Sequence, residues 1–306
     1  MFYAHHLISR WNRNALVRNA ERRLSRTVDK TRFKKNSARF LRETRALAIP
    51  VTYLILFTSL ITIIAATYSF AVIKIAAKGA SLRASIAKQN MQTLDAAVHT
   101  VAWTSGASEI VYIDGFEGVF KVEPTARDLI INLTDGHAID DIVFKSPIGK
   151  VLSKLESSEA SYSGQYTKGD ERAITNQTAF TMTQLYGEAS TSGQNIVLCY
   201  RPMAISTAIG TSNGKPLNLI RIYIINLNTS KNLSFRDSYY LKTTALNVST
   251  VTRQYEFNQP ISSLELNAVL DGTLGSVQLP VSSNDEGAKV NLETVICNIR
   301  LENVEV

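Results

Sequence analysis

The chain has 306 residues, of which 45% are apolar and 19% are charged, and its formal net charge is +7. That length allows one sizeable domain, or two small ones, beside a membrane segment. A pI near 9.3 taken alone would suggest a nucleic-acid-binding protein, but the excess positive charge is confined to one end of the chain.

The N-terminal 46 residues hold that excess. Residues 1–46 contain 13 Lys and Arg against 3 Asp and Glu, whereas the rest of the chain contains 20 against 23. A basic segment directly before an apolar one is typical of the cytoplasmic flank of a membrane span, and it is also attracted to anionic lipid headgroups. We therefore predict that residues 1–46 form a basic cytoplasmic leader or tail, and we expect no nucleic-acid partner.

An uncharged segment follows the basic one. No residue between Arg45 and Lys74 is charged, and as a helix this stretch would be about 42 Å long at about 1.5 Å per residue. The hydrocarbon core of a bilayer is about 30 Å thick, so we predict a single transmembrane helix over residues 47–73. A buried core helix and a cleaved secretory signal are the alternatives, and both are usually shorter than this segment.

The apolar pattern continues beyond the span. Apolar residues recur at nearly helical spacing among basic and polar ones, at Ile75, Leu82, Ile86, Leu94, Val98 and Val101. Residues 74–103 are therefore predicted to continue the helix as an amphipathic segment that buries one face. The whole helix is expected from about Ala48 to about Trp103, with Thr104-Ser105-Gly106 ending it.

Small residues are frequent in the same helix. They would let two such helices approach closely, although small residues are also common in spans generally. The set consists of Ala65, Ala66, Ser69, Ala71, Ala76, Ala77, Gly79 and Ala80.

Residues 104–306 consist of short runs rich in Val, Ile, Tyr and Thr, separated by turn pairs. The predicted strands are Glu109–Ile113, Val119–Val122, Asp128–Leu133, Ile139–Phe144, Ile196–Arg201, Leu219–Asn226, Tyr239–Val248, Ile261–Leu270, Val277–Leu279 and Val290–Leu301. The predicted turns are Asp114-Gly115, Asp135-Gly136, Asn213-Gly214 and Asp271-Gly272. This pattern indicates an antiparallel sandwich or barrel. The polar stretch from Ser153 to Ser192 is expected to form long loops around a short helix near Phe180–Leu185.

The predicted fold class is therefore α+β: a long N-terminal transmembrane and amphipathic helix, followed by an all-β, sandwich-like extracellular domain over residues 104–306.

The chain contains two cysteines, Cys199 and Cys297, each in a strand-like run. In an oxidising compartment, one disulfide between two strands is expected, and two small buried side chains are the alternative. A metal site is not expected without nearby histidines, and no cofactor is predicted.

Five Asn-X-Ser/Thr triplets support an extracellular, glycosylated domain, because all of them follow the predicted span. They begin at Asn132, Asn176, Asn228, Asn232 and Asn247.

Catalytic motifs are scarce. Neither His-Glu-x-x-His nor a phosphate-binding glycine loop occurs in the sequence. Asp140-Asp141 near His137 could contact a metal, but a solvated turn is the better interpretation. Gly169-Asp170-Glu171-Arg172 is likewise interpreted as a surface turn. We do not expect an enzyme.

The junction Arg45-Ala46-Leu47-Ala48 places a charged residue and then a small one directly before the apolar helix. In this arrangement the chain resembles archaeal type IV pilin-like proteins that carry a class III signal peptide. The resemblance covers residues 1–103 in detail and the rest only in architecture. It implies that a prepilin peptidase cuts after Ala46 and leaves Leu47 as the mature N-terminus.

Two features depart from that family. The leader of 46 residues is long for the class, and Val51 stands where bacterial pilins carry a glutamate, which archaeal members often lack. Pro50 would lie harmlessly in the first turn of the mature helix, but in the uncleaved chain it could break the helix.

Two functions follow as expectations. The first is a major or minor structural subunit of a type IV pilus-like surface filament, which self-associates through its N-terminal helix and depends on the pilus assembly machinery. The second is a non-polymerising, single-pass membrane protein with an extracellular binding or adhesion domain. In both, the N-terminus is cytoplasmic and the C-terminal domain lies outside the cell membrane.

Overall fold

The computed structural model of the protein describes residues 34–115, 118–137, 139–156, 163–176, 182–190 and 193–304, with the backbone alone for residues 34–48. The chain divides into two compact units, Met1–Phe70 and Ala71–Val306. The described part of the first unit is helical throughout, and the second unit contains the rest of that helix and all the described strands.

The single described helix, α1, spans Lys34–Val101. It confirms the predicted long helix, which begins earlier and ends two residues sooner than expected. Trp103 has a φ of 69° and Gly106 a φ of 83°, and these left-handed conformations end the helix. Pro50 lies inside α1, so the break considered at this proline does not occur.

Burial changes along α1. Residues 49–76 are exposed on every side of the helix, including the large apolar side chains of the predicted span. Among the described residues, Ile49–Val101 is the one helix long and apolar enough to cross a membrane. From Ala84 onward one face is buried, and the buried positions recur at helical spacing: Ala84, Ala87, Met91, Leu94, Val98 and Val101.

Thirteen strands follow in the described part of the chain. They are β1 Ser108–Ile113, β2 Val119–Thr134, β3 Asp140–Glu156, β4 Tyr166–Lys168, β5 Thr183–Ser190, β6 Gly193–Tyr200, β7 Met203–Ser212, β8 Lys215–Asn226, β9 Leu233–Phe235, β10 Tyr239–Phe257, β11 Ser263–Leu270, β12 Thr273–Pro280 and β13 Ala288–Val304.

These strands form two curled sheets. Sheet A has the order β1-β10-β13-β8-β7, and sheet B has the order β12-β11-β2-β3-β6-β5-β4, with β9 paired to β2. All neighbours are antiparallel except β8 and β13, which are parallel. The prediction of a mostly β domain is confirmed, and the expectation of purely antiparallel pairing is wrong at that one pair.

Two hydrophobic cores lie in the β domain. The first, called here the helix core, joins the buried face of α1 to both sheets, for example to Phe120 of β2 and Leu301 of β13. The second, the sheet core, contains residues of the two sheets alone, such as Ile131 of β2 and Val290 of β13. In the long strands β2 and β13, therefore, one half packs in the helix core and the other half packs in the sheet core.

Two hairpins are determined by residues that adopt positive φ angles in their turns. Asn213 and Gly214, with φ of 55° and 81°, join β7 to β8, and Asp271 and Gly272, with φ of 49° and 79°, join β11 to β12. Two consecutive residues with positive φ define the type I′ turn, whose twist matches that of the flanking strands. Two of the four predicted turns are thus confirmed as type I′ hairpins. Asp135-Gly136 lies between the antiparallel strands β2 and β3, whereas Asp114-Gly115 lies between strands of different sheets and forms no hairpin.

Several strand predictions need correction. The two predicted strands before and after Pro124 form one strand, β2, with a register shift between Glu123 and Arg127, since proline cannot donate to the ladder. The prediction of a short helix near Phe180–Leu185 is wrong for the described part of that range, because Thr183–Leu185 begin β5 and pair with β6. Strands β4, β5, β7 and β9 were missed: two are three residues long, and the others lack alternation of polar and apolar residues.

Candidate functional site

A buried carboxylate on α1 is the centre of a polar network between the helix and sheet B. Asp95 is 2% exposed. Its Oδ2 accepts a hydrogen bond from Lys168 Nζ at 2.5 Å, and its Oδ1 accepts from Thr183 Oγ1 at 2.7 Å and from Tyr200 OH at 3.2 Å. His99 Nε2, one helical turn later, lies 3.3 Å from Oδ1. The network joins α1 to three strands of sheet B.

The network favours the charged form of Asp95. Burial alone would raise its pKa, but hydrogen bonds from His99, Lys168 and Thr183 more than offset that effect, so the pKa lies below its ordinary value. Burial, and then the neighbouring Asp95 carboxylate, raise the pKa of Tyr200 well above its usual range. Tyr200 therefore remains a hydroxyl donor to the Asp95 carboxylate.

The sequence interpretation did not identify this network. One signal was present: Asp95 is the single acidic residue between Glu43 and Glu109, and it falls within the apolar stripe of α1. An acidic residue at such a position needs partners, but its strand partners lie 73 to 105 residues away.

A cavity of about 480 Å³ lies beside the same segment of α1. Its aromatic wall consists of Tyr166 and Tyr186, whose ring centroids are 5.1 Å apart. Lys88 contributes an ammonium group and Ser81 and Ser85 contribute hydroxyls from one face of the helix. A cation, hydroxyls and aromatic faces together suit a polar organic ligand.

The segment Gly169–Arg172 is not the simple surface turn that was predicted. Arg201, whose side chain is 0% exposed, pairs with Asp170 and donates to the Arg172 carbonyl at 3.1 Å. Gln184 Nε2 donates to the carbonyls of Asp170 and Arg172 at 2.8 and 3.1 Å. Hydrogen bonds from Arg172 and Arg201 lower the pKa of Asp170. This segment is therefore anchored to sheet B by a buried guanidinium.

The predicted disulfide between Cys199 and Cys297 is wrong, because both are free, buried thiols. Cys199 lies on β6 of sheet B, where Arg127 Nη1 donates to its sulfur at 2.7 Å, whereas Cys297 lies on β13 of sheet A. Burial raises the pKa of each thiol. The alternative interpretation, two small buried side chains, describes them.

The five predicted glycosylation asparagines differ in exposure. Asn232 and Asn247 are exposed, whereas Asn132, Asn176 and Asn228 are half-buried. The Oδ1 atoms of Asn132 and Asn228 are buried without a partner, and Asn176 Nδ2 donates to the Gln278 carbonyl at 3.2 Å.

No metal-binding cluster is found among the described residues. They contain no group of three or more His, Cys, Asp or Glu placed to hold a metal. Asp141 instead pairs with Arg253 at 2.5 Å and accepts from Tyr255 OH at 2.7 Å, which links β3 to β10. One Gly-x-Ser-x-Gly sequence, residues 210–214, forms the β7–β8 hairpin, whereas a nucleophilic serine of that motif sits on a strand-to-helix turn.

The predicted cleavage residues Arg45, Ala46 and Leu47 lie within α1, and their side chains fall outside the described residues.

Comparison with known protein families, with curated proteins and with solved structures finds no match for this chain. Its function is therefore inferred from its own residues and geometry.

Proposed function

We propose that this chain is a major or minor structural subunit of a type IV pilus-like surface filament, held in the cell membrane by the first part of α1 before assembly. The observation that carries the proposal is the change of burial along one continuous helix. Its apolar residues 49–76 are exposed, whereas from Ala84 to Val101 the same helix forms the helix core of a β domain.

Exposed apolar surface of this extent requires a cover, because each Å² left in water costs about 25 cal/mol. Lipid tails would cover it in the membrane, and identical helices would cover it in a filament. The small residues from Ala65 to Ala80 support the second state, since they permit close helix contacts. A homo-oligomer formed through α1 follows from the proposal.

The basic segment indicates the orientation of the chain in the membrane. Residues 1–46, with 13 Lys and Arg against 3 Asp and Glu, suit the cytoplasmic side, which would place the β domain outside. A prepilin peptidase would then cut between Ala46 and Leu47, and the pilus assembly machinery would extract the mature subunit from the bilayer.

Mass spectrometry of the native N-terminus tests this function. We expect a chain that begins at Leu47 in material sheared from the cell surface. Surface material that retains residues 1–46 would contradict the proposal. Arg45→Asp should block the cut and leave a larger product in gels, with Arg42→Asp as the matched control. Equal mobility of the Arg45→Asp product and wild type would count against processing at this site.

One observation favours the second candidate function, a non-polymerising, membrane-anchored binding protein. The cavity beside Lys88, Tyr166 and Tyr186 offers a place for a small polar ligand. On this alternative, α1 is a permanent anchor and residues 1–46 are retained. The same mass spectrum separates the two functions, because only the filament subunit loses its leader.

A further inference from the structure

Strand β10 has a long free edge. Within the described residues, β1 covers β10 only from Tyr239 to Thr244, and the backbone of Ala245 bonds to Gly106 and Ala107. From Asn247 to Phe257, β10 pairs with β13 on one side, and no described strand pairs with its other side. About half of the backbone N–H and C=O groups of this stretch therefore point away from the sheet.

The composition of this edge favours pairing with another chain. Residues 247–252 read Asn-Val-Ser-Thr-Val-Thr, without a charge, proline or glycine. Residues 249–252 are exposed, and Val251 is 47% exposed. Uncharged segments rich in β-branched residues pair readily with strands of other chains, and proteins usually protect such edges with charges, prolines, bulges or a covering group.

One covering group is available at the start of the edge. Asn247-Val248-Ser249 is an acceptor sequence for N-linked sugar, and Asn247 and Ser249 are both exposed. Asn298 Nδ2 donates to Asn247 Oδ1 at 2.7 Å. This bond orients the Asn247 amide while its Nδ2, the atom that receives the sugar, has no partner among the described residues.

Three other acceptor sequences are engaged in the fold. Asn132 and Asn228 each bury their Oδ1, and Ser230, the serine that completes the Asn228 triplet, is 8% exposed and bonds to Leu301 N. Asn176 Nδ2 donates to a strand carbonyl. Only Asn232, exposed between β8 and β9, is comparably accessible, and it does not lie on the β10 edge.

We propose that Asn247 carries an N-linked glycan that covers the free edge of β10 and prevents strand pairing between copies. The donor class is a lipid-linked oligosaccharide. Asn247 Nδ2 forms a bond to C1 of the first sugar and loses a proton, and the C1–oxygen bond to the lipid phosphate breaks, so the carrier phosphate leaves with the electron pair. The inference rests on the part of the proposed function that places the β domain outside the cell.

Glycopeptide mass spectrometry of the full chain from its native cells is the first test, together with protease treatment of intact cells to establish which side the β domain faces. We expect an external domain with sugar on Asn247. An external domain with a bare Asn247, or with sugar on Asn132, would overturn this inference while leaving the topology intact. A domain inaccessible from outside would overturn the topology and the inference together.

Cross-linking in detergent-solubilised full chain tests the role of the sugar. Val251→Cys places a thiol on the edge, and we expect disulfides between the introduced thiols of two copies to increase at least several-fold when Asn247→Gln or Ser249→Ala is added. Ser249→Ala keeps the Asn247–Asn298 bond, and Asn232→Gln removes a comparable acceptor elsewhere. Three outcomes would overturn the proposed role. Cross-linking could be equal with and without either substitution, or it could increase with Asn247→Gln alone. It could also increase equally with Asn232→Gln.

Discussion

Asp95 shows how one residue can tie a helix to a sheet. It lies on the buried face of α1 and accepts hydrogen bonds from Lys168, Thr183 and Tyr200. A buried carboxylate without partners would destabilise the fold, and a fully paired one restricts how the helix can sit. We assign the network a structural role because it ties the buried face of α1 to strands β4, β5 and β6 of sheet B.

Asp95→Asn tests that role. The substitution keeps the size of the side chain but removes the charge and weakens the bonds from Lys168 and Thr183. Hydrogen bonds to charged groups contribute about 1.5–3 kcal/mol, so we expect a loss of about 2 kcal/mol. That corresponds to a Tm lower by about 4–8 °C for a domain of this size, measured by circular dichroism on full chain in detergent.

Glu256→Gln is the matched control for the loss of one negative charge. Glu256 pairs with Lys215, but its side chain is 54% exposed, and exposed ion pairs contribute little. Its Tm should stay close to wild type. An Asp95→Asn protein with an unchanged Tm would refute the structural role.

Acid should destabilise the β domain through the same residue. The folded-state pKa of Asp95 lies below its ordinary value of 3.8. A group with a depressed folded-state pKa stabilises the fold fully above its unfolded-state pKa, and the contribution is lost as pH falls through the folded-state pKa. The pKa of Asp170 is lowered in the same direction. We expect Tm to fall below about pH 4, less steeply in Asp95→Asn than in wild type. Parallel curves would contradict this assignment.

At the scale of single elements, Pro50 has a consequence for the proposed cleavage. In a helix, the N–H of residue 50 would bond to the carbonyl of Ala46, and proline has no such donor. Pro50 lies inside α1. The carbonyl of the peptide bond between Ala46 and Leu47 therefore lacks its helical hydrogen bond. Local unfolding of the helix at this bond then requires less free energy.

Pro50→Ala should therefore slow processing. Alanine is about 3 kcal/mol more favourable than proline in a helix interior, so if the helix must open before cleavage, conversion should slow roughly tenfold or more. Pulse-labelling of the precursor measures that rate. Val51→Ala, which leaves the backbone donors unchanged, is the control, and equal rates for the two variants would rule out an effect of this proline.

The two parts of α1 can be separated by a matched pair of substitutions. Leu94 is 0% exposed and Leu60 is 54% exposed on the same helix. Leu94→Ala removes core packing and should destabilise the β domain by about 2–5 kcal/mol, whereas Leu60→Ala should leave its unfolding unchanged. Thermal unfolding followed by near-ultraviolet circular dichroism provides the measurement. Equal losses would mean that the helix core does not stabilise the domain as described.

For the whole molecule, self-association through α1 distinguishes a filament subunit from a permanent anchor. Ala66→Phe would block close helix contact without removing apolar surface, so we expect normal membrane insertion and few or no filaments by electron microscopy. Leu56→Phe exchanges one large exposed side chain for another and should preserve filaments. Abundant filaments in Ala66→Phe cells would show that close packing at this position is not required.

Local features explain most of what could be predicted. The uncharged run from Ala46 to Ile73 is long enough to be recognised without any partner, because a membrane span is defined by length and hydropathy. The Asn213-Gly214 and Asp271-Gly272 pairs predict hairpins because few other residues adopt two successive positive φ values. By contrast, β5 begins with Thr-Gln-Leu-Tyr, in which polar and apolar residues do not alternate, and its pairing with β6 decides its structure.

The sequence by itself therefore determined the long apolar helix, its amphipathic extension, the β-rich domain and its hairpin turns. Only the tertiary structure decided that Cys199 and Cys297 stay apart on different sheets, that β13 runs parallel to β8, that Asn247 lies on a free edge, and that Asp95 meets Thr183 across 88 residues of chain. The physical reason is range: hydropathy, periodicity and turn conformation depend on neighbouring residues, whereas strand partners and buried polar contacts depend on which distant segments the fold brings together.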